Sequence, residues 1–356
     1  MGAILAILGC ILFTLYGHSL GALSHEHAAW SSFGSLLAGF FTLTGTVATI
    51  ATLLFLNKQN QEQQKVISAQ ISAITFEQYI NHRKLFMERL EALQINFESQ
   101  LEFSNKETLY NEVFQNNRPT NVEFIVKPRQ AESDENLIGR LGSQLTQLDQ
   151  MLNMNQWSDE DIIRAVTLLI RLFGDLHCKW VGSPFDGDVF YLGKNSGINI
   201  YSIEESLNRI KAIYNSLLFY TGNDAYENLD KGCSRYMREA FIKFFNGEHY
   251  LRDGISVRKT IPGLEIIERL LFSTDLLRGM DDMWIMPNTY RRLEGVLRSR
   301  ESLEQIRSRE FVTSLVNLGY QEGSAGFQKT GENKTLRSNL TNCINEITML
   351  HKLTQS

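Results

Sequence analysis

Two uncharged apolar runs open the chain, Gly2–Ser24 and Ala28–Asn57. Residues 1–57 hold no Lys or Arg, and their single acidic residue is Glu26. Each run exceeds the ~20 residues that a helix needs to cross a hydrocarbon core of ~30 Å. A bilayer admits only helices or closed barrels, since no water is present to satisfy stray backbone groups. The pattern therefore predicts a two-helix transmembrane hairpin, turned at the short polar knot Ser24-His25-Glu26-His27. The connecting loop carries no Lys or Arg, whereas Lys58, Lys65, Arg83, Lys84 and Arg89 follow the second run. Positive residues stay inside, so both termini are expected in the cytoplasm. A cleaved signal peptide is the rival reading. It fits less well, because the start has no basic region and the run is longer than the ~7–15 residues of such a segment.

After the second run the polarity changes and the period stays helical. Asn57–Phe103 reads as one long juxtamembrane helix, Gln-rich at first, with Ile67, Ile71, Ile74 and later Leu90, Leu93, Phe97 and Leu101 at helical spacing. It ties membrane to cytoplasm and could pair with copies of itself. Residues 116–136 hold Pro119, Pro128 and an acidic run, and break the pattern, with Val122–Val126 as a candidate short strand. Helices are then predicted over Leu137–Asn155, from Ser158 with Asp161 as a capping pair, from Ser202 with Glu205 to about Tyr220, and over Ala225–Phe245, Leu264–Arg278, Asn288–Leu318 with a break near Ser299, and Glu332–Lys352. Val181–Tyr201 is Gly-rich and extended, a hairpin through Val189–Leu192. The fold class is mainly α. A transmembrane hairpin (residues 1–57) and a long helix (58–103) precede a mostly helical cytoplasmic domain (104–356) with minor β elements.

Charge and cysteine usage narrow the chemistry. A formal net charge of −5 over 356 residues excludes a wholly basic nucleic-acid binder but leaves room for a local basic patch. Cys10, Cys178, Cys233 and Cys343 are far apart, without metal or redox spacing, and fit free thiols in a reducing compartment. Phosphate-binding loops, dinucleotide fingerprints, zinc-protease motifs and the kinase set are absent from the sequence. No cofactor and no metal are expected. The acid pairs Asp186/Asp188 and Asp281/Asp282 could each join a third ligand on Mg²⁺. His25-Glu26-His27 could hold a metal or sense pH. Polar turns account for all three more simply.

Three patterns bear on function. In the first run Gly17 and Gly21, and in the second Ser31, Ser35 and Gly39, stand at four-residue spacing, which lets helices approach closely. They either pack the two spans of one hairpin or assemble several hairpins. Thr42, Thr44, Thr46, Thr49 and Thr52 follow; their hydroxyls can bond back to their own helix, or form a weakly polar stripe that lines water in an oligomer. Near the other end, Arg291, Arg292, Arg298, Arg300, Arg307 and Arg309 share one stretch with interleaved Glu294, Glu301, Glu304 and Glu310. Glu–Arg pairs within the helix explain much of this. The guanidinium fork also suits phosphate, which makes Arg291, Arg292, Arg298 and Arg300 candidates for contact with nucleic acid or a partner.

The layout has a counterpart. Two N-terminal apolar spans lead into a long helix bearing Thr75-Phe-Glu-Gln-Tyr-Ile-Asn-His-Arg-Lys-Leu-Phe86, then a helical cytoplasmic domain. This resembles the two-span membrane effectors encoded with retrons, which are bacterial anti-phage systems, and more widely the membrane-bound abortive-infection proteins. The resemblance implies an effector held inactive by a reverse transcriptase and its small multicopy single-stranded DNA (msDNA). When triggered, it perturbs the inner membrane, as a homo-oligomer, and the infected cell dies. No catalytic residues come with it. A second class is a membrane-tethered ribonuclease: Arg171, six residues before His177, resembles the Arg-x(4–6)-His motif of HEPN ribonucleases, with Leu172 where that family has a polar residue. A third is a non-toxic membrane signalling or scaffold protein.

Overall fold

Chain segments that bury apolar stripes become helices here, and the strands are short. The computed structural model describes residues 2–20, 25–131, 134–229, 235–246, 254–278, 284–331 and 333–355. Gly21, Ser24, Cys233, Asp281 and Asp282 lie outside them. Of the described residues 69% are helix and 7% strand, hence mainly α. It divides into two compact units, Met1–Glu77 and Gln78–Ser356.

The first unit holds α1 (Gly2–Leu20) and most of α2 (His27–Asn96), a single helix of 70 residues. The juxtamembrane helix is thus not a separate element; it continues the second apolar run. Among the described residues α2 is the one helix long and apolar enough to cross a membrane. Its apolar window has mean hydropathy 1.8 and no buried residue. α1 lies beside it. The Tyr16 and Phe33 rings are 4.7 Å apart, Phe13 and Phe33 6.2 Å, and a Cβ on Gly9 would stand 3.3 Å from Phe40. Phe33, Leu37, Phe40, Thr44 and Val47, half-buried at helical spacing, form the side of α2 that α1 touches.

In the second unit α2 presents His82, Phe86, Leu90 and Leu93 to a core and ends at Asn96. The helix predicted to Phe103 stops there because Glu98 and Ser99 take positive φ. Leu101–Phe103 is instead β1, paired antiparallel with β2 (Cys178–Trp180). α3 (Lys106–Val113) and α4 (Leu137–Leu152) follow, then α5 (Asp159–Asp175), whose Ser158/Asp161 capping box forms as the sequence suggests. Residues 122–126 are not a strand. They lie outside any regular element, with Val126 N–H bonded to the Thr221 carbonyl at 3.1 Å.

β3 (Asp188–Tyr191) and β4 (Lys194–Asn199) form the expected hairpin. Its two-residue turn, Leu192-Gly193, has φ of 48° and 77°, the left-handed pair that a tight hairpin demands. β5 (Ile255–Val257) adds to the other edge of β3. α6 (Ile203–Tyr220) starts without the predicted capping box: the Ser202 hydroxyl accepts from Arg300 N–H at 2.9 Å instead. α7 spans Arg235–Phe244, shorter than predicted, and α8 Leu264–Asp275. The helical stretch expected over 288–318, with its break near Ser299, is four pieces: α9 (Pro287–Val296), α10 (Arg300–Leu303), a 3-10 turn (Glu304–Arg307) and α11 (Arg309–Lys329). Ser299 and Ser308 cap the restarts, accepting from Ser302 and Phe311 N–H. α12 (Lys334–Gln355) packs into a notch of small residues on α11, where Gly319 faces Ile347, Gly323 faces Ile344 and Gly326 faces Leu340.

Candidate functional site

α2 is two-faced in the apolar part of the first unit. Counted at about 100° per residue, Ser35, Gly39, Thr42, Thr46 and Thr49 fall roughly opposite the side that touches α1. All five are exposed. A Cβ on Gly39 meets nothing within 4 Å, and the same is true of Gly17 on α1. The two helices are therefore not packed through Gly17 or Gly39. The close approach comes at Gly9, which spacing arguments passed over because it has no small partner four residues away. The threonine hydroxyls satisfy themselves: Thr42, Thr46 and Thr49 donate to the carbonyls of Ala38, Thr42 and Gly45 at 2.8 Å each. Ser35 does the same to Ser31 at 3.0 Å. This is how a hydroxyl survives in an apolar helix without a partner. The face is thus closely approachable, uncharged and internally hydrogen-bonded.

In the second unit the arginine stretch separates into two groups. Arg300 is half-buried, bonded to Glu301 at 2.8 Å and Glu205 at 3.4 Å, and stacked 4.7 Å over the Phe185 ring. Arg307 joins Glu304 at 2.9 Å and Asp186 at 3.2 Å. These two hold the fold together. Arg291, Arg292 and Arg298 have no carboxylate in ion-pair range among the described residues. Arg291 reaches Asn288 at 3.4 Å, and Arg292 lies 4.9 Å over Phe311. The break at Ser299, which the sequence places correctly, lies between these three and the ion-paired Arg300 and Arg307; Arg309 beyond it also has no carboxylate in ion-pair range among the described residues.

Asp186 and Asp188 are buried and fully used. Asp186 accepts from Thr260 N–H, from the Thr260 hydroxyl at 3.0 Å and from Arg307. Asp188 accepts from Asn195 at 2.8 Å, Asn199 at 2.9 Å and Phe185 N–H at 2.9 Å. They fasten the β3–β4 hairpin, and no oxygen is left for an ion. No cluster of three His, Cys, Asp or Glu suited to a metal occurs among the described residues. His25 and Glu26 precede α2 and His27 opens it, all three exposed.

A buried ion pair lies nearby that the sequence did not disclose. Glu268 is fully buried and takes Lys259 Nζ at 2.6 Å, Asn246 Nδ2 at 2.5 Å and the Tyr201 hydroxyl. Burial raises the Glu268 carboxyl above its ordinary value, against the pull of Lys259; burial and the Glu268 charge raise Tyr201. On the pattern of α8, Glu268 is one acid among apolar neighbours, and only its mates across the fold reveal it.

Arg171 and His177 do not form a helical motif. Arg171 is exposed on α5, while His177 lies beyond the end of that helix with φ of 51° and pairs with Glu112 at 3.3 Å. His82, inside the segment that carried the family resemblance, was also missed. It sits among Phe86, Tyr110, Phe114, Phe124 and Tyr220, with Nδ1 3.0 Å from the Tyr110 hydroxyl. Burial lowers its pKa, so it stays neutral at physiological pH. Its spacing with Phe86, Leu90 and Leu93 on one helix face was the available signal. A hollow of about 400 Å³ opens beside it, walled by Gln78, Leu85, Phe124 and Phe219.

No protein-family model, curated protein or solved structure matches the chain.

Proposed function

We propose that this chain is a non-enzymatic, membrane-anchored toxic effector of an anti-phage retron system. It crosses the bacterial inner membrane twice, through α1 and the apolar part of α2, with both termini in the cytoplasm. A reverse transcriptase and its msDNA hold it inactive, and release lets several copies assemble and perturb the membrane. The observation that carries this reading is the face of α2 bearing Ser35, Gly39, Thr42, Thr46 and Thr49. It is exposed, uncharged and turned away from α1. In lipid, helices associate by van der Waals packing, which small residues permit. One hairpin encloses no water path; several, meeting through such faces, can. Arg291, Arg292 and Arg298, cations without carboxylate partners among the described residues, supply the charge for msDNA phosphates. The ribonuclease reading needs Arg171 and His177 at one site, and His177 instead lies past the end of α5 against Glu112.

The test is expression of the full chain alone, with dye uptake, membrane potential and RNA integrity followed together. Depolarisation with intact RNA is expected. Gly39→Leu, and Gly17→Leu with it, add bulk where copies are to meet while keeping the segment apolar enough to insert. Both are expected to abolish depolarisation at unchanged membrane abundance. RNA decay in polarised cells, or undiminished depolarisation by the double variant, refutes the proposal.

A further inference from the structure

Beyond its apolar part, α2 keeps an uncharged face through the polar segment that follows. We infer that this face, centred on Gln64, Ile67, Ile71 and Ile74, is a parallel assembly seam that fits a second copy of this chain.

The spacing 64, 67, 71, 74 alternates three and four residues, the repeat that keeps one seam toward a neighbouring helix. Ile67, Ile71 and Ile74 are 53%, 59% and 54% exposed, so no described residue covers them. At about 100° per residue they point within roughly 60° of the centre line of the stripe Ser35, Gly39, Thr42, Thr46 and Thr49. The lipid-facing stripe and the isoleucine stripe are thus one face. It extends from Ser35 to Ile74, about 60 Å at 1.5 Å per residue.

The occupant follows from charge and from α1. A copy packed in parallel and in register sets each residue near its own duplicate, so a face built for a copy must be free of charge. Lys58, Glu62, Lys65 and Glu77 all fall on other sides of the helix, and the seam flanks are Gln63, Ser68, Gln70 and Thr75. A nucleic acid or an acidic partner finds nothing to grip there. A second exposed stripe, Val66, Ala69, Ala73, Phe76 and Ile80, lies on the continuation of the side that α1 occupies. A copy approaching along that side would meet α1 at Phe33 and Phe40. The isoleucine face has no such obstacle. A strip 60 Å long and one helix wide, ~10–12 Å, has a footprint of roughly 600–700 Å², near the ~800 Å² each partner gives to a stable interface. Ile at both repeat positions favours more than two strands. Parallel orientation rests on the membrane reading above, since insertion points every α2 the same way.

Cysteine scanning tests this in membranes from cells making the full chain with Cys10, Cys178, Cys233 and Cys343 replaced by Ser. Single variants Gln64→Cys, Ile67→Cys, Ile71→Cys and Ile74→Cys are oxidised beside Glu62→Cys, Lys65→Cys, Ala69→Cys and Ala73→Cys. Disulfide-linked dimer is expected at least fivefold higher in the first set than in the second. Equal yields around the helix, or a maximum at Ala69→Cys and Ala73→Cys, overturn the seam. Dye uptake by the same cells keeps the two ideas apart. The seam pattern without a membrane lesion preserves the seam and removes the toxin reading. A lesion with a flat pattern does the reverse.

Discussion

Replacing Lys259 by Met should expose how the second unit tolerates a charge at its centre. Glu268 is 0% exposed, and among the described residues Lys259 is the one cation bonded to it, at 2.6 Å. Methionine keeps the length of the side chain and removes the charge. The carboxylate would then keep two neutral donors, Asn246 Nδ2 and the Tyr201 hydroxyl. Removing one partner of a buried pair costs about 3–5 kcal/mol, because the remaining charge is uncompensated. With a urea slope near ~2 kcal/mol/M, the unfolding midpoint should fall by roughly 1.5–2.5 M. The sign of the pH dependence is fixed by the raised Glu268 pKa. A carboxyl whose folded pKa lies above its unfolded value, ~4.3, contributes stability that is fully present below that value and lost as pH rises through the folded pKa. Without Lys259 the folded pKa rises further. The penalty should therefore be largest at pH 8 and shrink toward pH 5, as Glu268 takes up a proton and no longer needs a cation. The assay is urea unfolding of the detergent-solubilised full chain, followed by tryptophan fluorescence at both pH values. Adding Glu268→Gln to Lys259→Met should recover most of the loss. A penalty that is equal at both pH values, or a double variant no better than the single, refutes the assignment.

Other outcomes follow from single contacts. Arg291→Glu, Arg292→Glu and Arg298→Glu together should release bound msDNA and, at ~0.7 per phosphate contact on a single strand, flatten the salt dependence of binding by about 2 in log–log slope, measured by filter binding. Arg300→Glu should instead lower thermal stability, since it sets a third carboxylate beside Glu205 and Glu301; equal loss of binding at unchanged melting temperature would refute the division. Asn136→Ala should destabilise by about 2–4 kcal/mol in urea unfolding, one part a lost helix cap and the rest unpaired buried groups. Its side chain accepts from Gly139 and Arg129 N–H at 2.9 and 3.0 Å and donates to Lys127 O at 2.8 Å. Arg171→Ala and His177→Ala should leave membrane depolarisation and RNA integrity unchanged.

Where one residue's neighbours lie within a helical turn or a tight turn, the sequence speaks clearly. Ser158 and Asp161 cap α5 because the bond spans three residues. The Leu192-Gly193 turn is set by backbone sterics, and the break at Ser299 by a serine that caps the restart. The same logic misleads at Ser202, where Ser-x-x-Glu spacing is present but the hydroxyl accepts from Arg300, 98 residues away. Helix ends fail in a similar way. Asn57–Phe103 keeps its apolar period to Leu101, yet Leu101 is buried from a strand, not a helix, because β2 offers it a partner. Periodicity reports which side chains are to be buried; it does not report against what.

That limit applies to the candidate sites too. Gly17, Gly39 and the threonines were visible as small or self-satisfying residues, but spacing alone fits packing within a hairpin as well as between hairpins. Gly9 shows where the two helices meet. It takes the contact with Phe40, and Tyr16 with Phe13 takes Phe33, so α1 is already in place on one side of α2. The stripe from Ser35 to Thr49 is left free on the other side. The arginines show the same dependence on distant partners. Six in nineteen residues read as one basic patch, but Arg300 and Arg307 answer to Glu205 and Asp186, acids more than ninety residues back in the chain. What remains for a polyanion among the described residues is Arg291, Arg292 and Arg298, with Arg309 beyond the break. A small patch of exposed or half-exposed cations gives polyanion contact that salt weakens readily, so ionic strength is the variable that tests it.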